Sequence, residues 1–446
     1  MTNLDTLRPT QPGGVLTRHD PAFAEATRWP GPRVAPDVLV QPESAQEVGA
    51  ALRWAAAEAV DVAVRSGGHG AWASVPGGLL VDLSALAHID IADGGVVSVG
   101  PGATWGAVAD ALAPHGLALS SGDTRSVGVG GNALGAGVGW LVRSVGLAVD
   151  QLVGAEIVTA DGRVVAASPD ENPDLFFAIR GGGGNFGVAT RLDFRAAPLD
   201  RVLFGTAAVE AGDLVAVIRG VRDAMRTAPR QLGVTVVHPP PMGPALPPMV
   251  EMLWAGDDDD AARDAVAPLL ALDGVGAADL TLVPYSSKLI EPPVPPGPPP
   301  RMTSANGVFK ALPDATVELA AATLAANPAS LFEVRFLGGA LADVPPDATP
   351  LTWRDAEALV HWISFLPPDV TDDVVARAAD AWAPVGDGAE AICGTFTDHT
   401  DPRLVDRMYP PATLQRLRAL KTVWDPGNLF RRNHNILPTE GQVGAD

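Results

Sequence analysis

The residues most able to do chemistry in this chain sit in three glycine-rich clusters. The first is VRSGGHG, Val64 to Gly70, where a strand delivers two glycines and then His69 in a tight loop. Glycine backbone N–H groups in such a loop can cradle a pyrophosphate, and a histidine beside them would face the ligand. Taken alone, a histidine of this kind is more often a plain turn residue. The second cluster is SGDTRSVGVGGNALGAGVGW, with glycines at 128, 130, 131, 135, 137 and 139. That density is too high for a helix or strand interior and implies close backbone packing around something flat or charged. The third is IRGGGGNFGVAT, residues 179–190. Gly182, Gly184 and Gly187 satisfy G-x-G-x-x-G, but a dinucleotide fingerprint must open a helix. Here VATRLDF follows and alternates as a strand, which excludes a Rossmann site. No Walker sequence, G-x-S-x-G elbow or H-E-x-x-H occurs.

The elements around these clusters alternate. DVLVQP is a short strand, and Ser44 with Glu47 three residues on is a capping box opening a helix through ALRWAAAEA. DVAVRS, LLVDLS and VVSVG are further strands, and ATWGAVADALAPHG is a helix ending at Gly116. LVGAEIVTA and RVVAAS, joined by Asp161-Gly162, form a hairpin with a two-residue turn signal. GVATRLDF closes this part. Beyond about residue 200, TVVHPP, MVEMLWAG, LTLVPY and LFEVRFLGG are strands. DLVAVIRGVRDAMRT, DDDDAARDAVAPLLAL and DDVVARAADAWAP are helices. The acidic run Asp257–Asp260 suits a helix N-terminus better than a cation site. EPPVPPGPPP is a stiff extended loop.

Composition bounds the function. The chain has 446 residues, 31 Lys plus Arg against 52 Asp plus Glu, and a formal net charge of -21. Lysine occurs only at 288, 310 and 421. This excludes a surface for duplex nucleic acid or an anionic membrane. The one cysteine, Cys393, excludes intrachain disulfides and cysteine-based metal cages. No basic-plus-apolar leader and no bilayer-length apolar run occurs, so a soluble cytoplasmic protein is expected.

Together the clusters resemble one family, the FAD-linked oxidases of the vanillyl-alcohol oxidase type, in their berberine bridge enzyme-like branch. RSGGH resembles the loop whose histidine is joined to the flavin, VGVGGNALGAGVGW the second flavin loop, and GGGGNFGVAT the end of the FAD domain. LGGAL with ATPLTWRDA is similar to the substrate domain, and LQRLRALKTVWDPGNLFRRNHNI to the terminal module. The resemblance implies an α+β fold: a two-lobed PCMH-type FAD domain over 1–197, a substrate domain over 198–408 with an antiparallel sheet backed by helices, and a module over 409–446 returning to the FAD domain.

It also implies the cofactor contacts. Arg65, Ser66, Gly67, Gly68, His69 and Gly70 form the first loop, with FAD joined covalently (8α-histidyl) to His69. Thr124, Val127, Gly128, Gly130, Gly131, Asn132, Gly135 and Gly139 form the second, Val127 standing at the position that gates oxygen. Gly187, Val188, Asn433 and Asn435 complete the set; His434 lies between the two asparagines. Many relatives attach the flavin a second time through a cysteine where this chain has Thr124, so a single bond is implied. Many bacterial relatives also carry a catalytic tyrosine in a Tyr-x-Asn segment. The aligned GTFTD places Phe396 and Asp398 there, and phenylalanine accepts no proton.

The base is therefore sought among Glu333, Asp398 and His399. Glu333 ranks first, as a carboxyl raised in pKa over an apolar pocket on the strand that roofs the flavin. Each is individually more often a surface or ion-paired residue, and Arg354 is more simply a brace. The implied reaction is hydride removal from an alcohol or amine carbon of a small molecule, with O2 reduced to H2O2, by a monomer or homodimer. The alternatives are a flavin-dependent cyclase or isomerase of secondary metabolism and a flavin-binding protein without turnover.

Overall fold

The computed structural model describes residues 4–27, 35–70, 73, 76–210, 212–240, 246–291, 297–298, 300–398 and 400–439. His399 and most of the proline loop at 291–300 lie outside the described residues.

Four short apolar strands build the first lobe. These are β1 (Val15–Thr17), β2 (Val38–Val40), β3 (Val62–Arg65) and β4 (Leu79–Asp82), in the order β1-β2-β4-β3. The inner pairs are parallel, so a crossover must join β2 to β3. The helix Ala45–Ala57 supplies it and buries Val48, Leu52 and Ala55. Its start is the capping box: Ser44 Oγ accepts the Glu47 N–H at 3.3 Å. Glu47 reaches back one residue further than expected, to the Glu43 N–H at 2.9 Å.

The second lobe follows as β5 (Ile89–Ile91), β6 (Val96–Val99), β7 (Leu117–Ala118), β8 (Leu152–Val158), β9 (Val164–Ala167), β10 (Val188–Arg195) and β11 (Ala197–Pro198). Five of them form a sheet in the order β5-β6-β10-β8-β9, while β7 and β11 pair as a ribbon. Between them the helix Trp105–Leu112 runs into a 3₁₀ turn and stops at Gly116, whose φ of 63° is left-handed. One expectation fails here. Val129–Gly135 is helical despite its glycines. Val129, Ala133 and Leu134 bury one side of it, so packing outweighs the ~1 kcal/mol that each glycine costs. The glycines permit close approach: a Cβ at Gly130 would stand 2.9 Å from Pro101 Cβ.

The last sheet is antiparallel and seven-stranded. It holds β12 (Arg201–Ala208), β13 (Leu232–His238), β14 (Met249–Trp254), β15 (Thr281–Pro284), β16 (Arg301–Phe309), β17 (Ser330–Phe336) and β18 (Ala358–Leu366). Their order is β15-β12-β14-β13-β17-β18-β16. β16, β18 and the helix Asp314–Ala326 are additions to the sequence-based expectation. Strand alternation divides the sheet into two unlike faces. Val236, Val250, Val334, Val360 and Trp362 pack in one apolar core with Val217, Val266, Val317 and Trp382 of four covering helices. Trp382 stacks between Phe332 and Trp362, with centroids at 5.8 and 5.5 Å. The acidic run caps one of these helices, Asp258 accepting the Ala261 N–H at 3.0 Å.

Two buried cations tie the parts together. Arg354, from the segment between β17 and β18, meets Asp150 of the second lobe in a bidentate pair at 2.8 and 2.9 Å, with Thr349 and the Leu351 carbonyl as further acceptors. Lys421, on the helix Pro411–Trp424, is fully buried and donates to Asp425, the Asn185 carbonyl and the Phe430 carbonyl. Removing one member of a buried pair strands its partner. Arg354→Met should therefore lower unfolding free energy by ~3–5 kcal/mol, read from denaturant midpoints with an unchanged slope.

Candidate functional site

The glycine clusters converge on one cleft containing about 1110 Å³ of empty space. Ser66 enters from the loop after β3, and Gly130, Gly131 and Gly135 come from the glycine-rich helix. Gly181 to Gly184, Gly187 and Val188 form the opposite wall. Asn433 and His434 line it from the tail, together with Gly394, whose carbonyl lies 3.0 Å from His434 Nε2, Thr395 and Tyr409. The loops meet so tightly that a Cβ on Gly67 or Gly128 would fall inside the other's backbone N. A Cβ on Gly131, Gly183 or Gly184 would meet nothing within 4 Å, so bare backbone borders open space there. The side-chain carbonyl oxygens of Asn433 and Asn435 are buried without a hydrogen-bond partner. Exposed peptide edges, unused acceptors and this volume fit a large, flat, polyvalent ligand such as FAD.

The remaining residues of the two flavin loops are placed differently. Arg65 is spent on Asp82 at 2.7 Å and the Ala26 carbonyl at 2.6 Å. Asn132 accepts the Trp105 indole N–H at 2.8 Å. Val127 packs against the core cluster instead of lining the cleft, and Gly139 makes room for the Ser121 carbonyl. Thr124 bridges to Ile290. Gly68 turns the chain with φ of 75°, and neither it nor Gly70 is among the lining residues. His69 beyond it is exposed, its Nε2 2.9 Å from Ser126 Oγ. Ser126 Oγ in turn donates to Glu291 at 2.7 Å.

Other lining residues were not singled out from sequence as contacts, Gly181 to Gly184 and Tyr409 among them. Tyr409 donates to the Gly181 carbonyl at 2.8 Å, and Asn185 binds the His434 carbonyl and the Ile436 N–H. The GGGGN run was the available signal: it resembles the end of the FAD domain, but of that segment only Gly187 and Val188 are expected contacts.

The face of the large sheet turned away from its helices carries charge. Arg335 reaches Glu333 at 3.0 and 3.1 Å and also pairs with Asp123 of the second glycine cluster. Glu333 Oε1 lies 2.8 Å from His361 Nδ1, and His361 Nε2 lies 3.0 Å from Ser304 Oγ. Burial alone would raise Glu333, but the Arg335 charge and the His361 and Arg335 hydrogen bonds overcome it and bring the carboxyl down to about 2. The expected raised pKa at Glu333 is thus reversed, because its neighbours are cations and donors instead of an apolar pocket. Asp398 is likewise engaged: Oδ1 accepts the Ser304 N–H at 3.0 Å. Phe396 stands in a 3₁₀ turn, its ring edge-on to His361 at 4.9 Å.

Glu251 was missed. It sits on β14 level with Thr235, which is level with Arg335. Burial, then the charges of Asp123 and Glu333, push its carboxyl up to about 7 against Arg335 and Lys288. The signal was available in MVEMLWAG, where one charge interrupts an apolar strand.

Comparison with known proteins agrees with this geometry. Residues 36–168 match a family model described as FAD binding domain, and residues 396–437 one described as berberine and berberine like. (R)-6-hydroxynicotine oxidase of Paenarthrobacter nicotinovorans is 31% identical, over 96% of this chain and 97% of its own length. A xylooligosaccharide oxidase from Myceliophthora thermophila, solved with xylobiose, superposes with a TM-score of 0.87 at 25% identity over 98% of this chain and 99% of that one. 6-hydroxy-D-nicotine oxidase from Arthrobacter nicotinovorans superposes at 0.81 with 25% identity, over 96% and 98%.

A depressed carboxyl stabilises the fold above its unfolded value, here 4.5, and that contribution is lost as pH falls toward about 2. Glu333→Gln should cost on the order of 3 kcal/mol at pH 7 and remove part of the acid sensitivity between those values. Chemical denaturation at pH 7 and pH 3 measures both; equal losses at the two pH values would contradict the ion-pair role.

Proposed function

Because the chain belongs to the FAD-linked oxidases of the vanillyl-alcohol oxidase type, in their berberine bridge enzyme-like branch, we propose that His69 holds its FAD by a single covalent bond. The chain is an FAD-dependent oxidase. When bound, FAD takes a hydride from an alcohol or amine carbon of a small molecule and passes the electron pair to O2 as H2O2.

The chain's own residues do the rest. The glycine walls and Ser66 hold the cofactor through backbone, and Asn433 offers it an unused acceptor; Asn435, though its carbonyl oxygen is also unpartnered, does not line the cleft. Cys393 is the observation that carries single attachment. It is fully buried, its pKa is raised by burial, and its Sγ lies 3.3 Å from Thr395 Oγ1. A thiol so placed supplies no thiolate. Ser126 gives its proton to Glu291, so its lone pair receives the Nε2–H of His69. With the proton on Nε2, the lone pair that can act as nucleophile is on Nδ1.

Acid-precipitated wild type should stay yellow and gain one FAD by intact mass, whereas His69→Ala should release its flavin. A wild-type mass without FAD would refute the covalent link. Ser126→Ala should attach FAD roughly 2- to 10-fold more slowly, the worth of one neutral hydrogen bond, measured by in-gel flavin fluorescence over time.

A further inference from the structure

We propose that Glu251 accepts the proton from the substrate's hydroxyl or amine as the neighbouring C–H bond is oxidised, filling the role that Phe396 cannot. This rests on the oxidase reading above. The geometry narrows the choice by elimination along one face of one sheet. Thr206, Glu251, Thr235 and Arg335 stand level across β12, β14, β13 and β17, and Glu333 and His361 stand level one step along. The other face of these strands is closed by helices. The charged face instead meets the second glycine cluster: Asp123 pairs with Arg335, and the Trp140 carbonyl packs on Gly233 of β13. The same cluster supplies Gly130, Gly131 and Gly135 to the cofactor cleft.

On that face nearly every ionisable group is engaged. Arg335 is shared between Asp123 and Glu333; Glu333 is also held by His361, and His361 by Ser304. Lys288, from the turn after β15, lies 3.3 Å over the Phe204 ring, and burial lowers its pKa against the pull of Glu251. Apart from Lys288, the Glu251 side chain is the one ionisable group on that face with no hydrogen bond or ion pair among the described residues, and it is only partly buried. Asp123 Oδ1 is a second buried acceptor without a partner. A carboxyl under like-charge pressure from Asp123 and Glu333, with a pKa of about 7, takes and releases protons at working pH. Glu333, held near 2, does not.

In the step, the substrate's O–H or N–H bond breaks and the proton passes to a Glu251 carboxylate oxygen. The electron pair left on the heteroatom becomes the second bond to carbon as hydride departs with the C–H pair to the oxidised flavin. Glu251 must begin ionised, so reduction accelerates as pH rises through about 7 and then levels.

The test is anaerobic stopped-flow reduction of the holoenzyme between pH 5 and 9, with 6-hydroxynicotine and xylobiose as probes. Glu251→Gln should slow reduction ~10²–10⁴-fold with little change in probe dissociation constant, and should abolish the step near pH 7. Glu251→Asp should restore the step, and Glu333→Gln, which removes one like charge, should keep it but move it to lower pH. If neither probe reduces the flavin, the oxidised flavin spectrum is titrated instead: a transition near pH 7 that Glu251→Gln removes supports the assignment. Near-native reduction by Glu251→Gln, a pH step that survives it, or no transition in wild type overturns it. H2O2 release by photoreduced holoenzyme in air reports on the oxidase reading separately.

Discussion

The backbone crossing of Gly67 and Gly128 is the contact on which the rest depends. Each stands where the other's Cβ would be, so the loop leaving β3 and the loop opening the glycine-rich helix touch through peptide groups alone. That approach carries Ser66 and Gly131 to the same cleft, while His69, three residues beyond Ser66, stands beside Ser126 outside the lining. Any side chain there would push apart two lobes that also share packing, Val158 and Val188 of the second lobe lying in the first lobe's core.

A second constraint is a shortage of cations on the charged face of the large sheet. One guanidinium serves two carboxylates, and the distribution is unequal: Glu333 has Arg335 and His361, while Asp123 shares Arg335 and is raised chiefly by burial. Arg335 is thus committed to Glu333 and Asp123, and burial with the charges of those two carboxylates outweighs its pull on Glu251, which stays protonatable. The same residue types within one patch acquire opposite roles from position alone.

Much of this was legible in sequence where local signals dominate. The strand ending in Gly67-Gly68, the Ser44–Glu47 cap, the Asp161-Gly162 hairpin and the strand after Gly187 depend on neighbours a few residues apart. Alternation also put Glu333 and Arg335 on one face. What failed was non-local. The electrostatics of Glu333 depend on His361 and, through Arg335, on Asp123, which is 212 residues away from that arginine. The helix Val129–Gly135 was lost because glycine propensity was weighed without its burial. Glu251 escaped because a lone charge in a strand reads as a solvent-facing residue until the opposite surface is known.

The Lys421 clasp has a consequence for biogenesis. Its ammonium joins the terminal helix to Asn185, whose side chain binds the tail at His434 and Ile436. One wall of the cofactor cleft is therefore among the later parts of the chain to leave the ribosome, long after the loops that face it. The cleft is complete only once the tail has folded back onto Asn185.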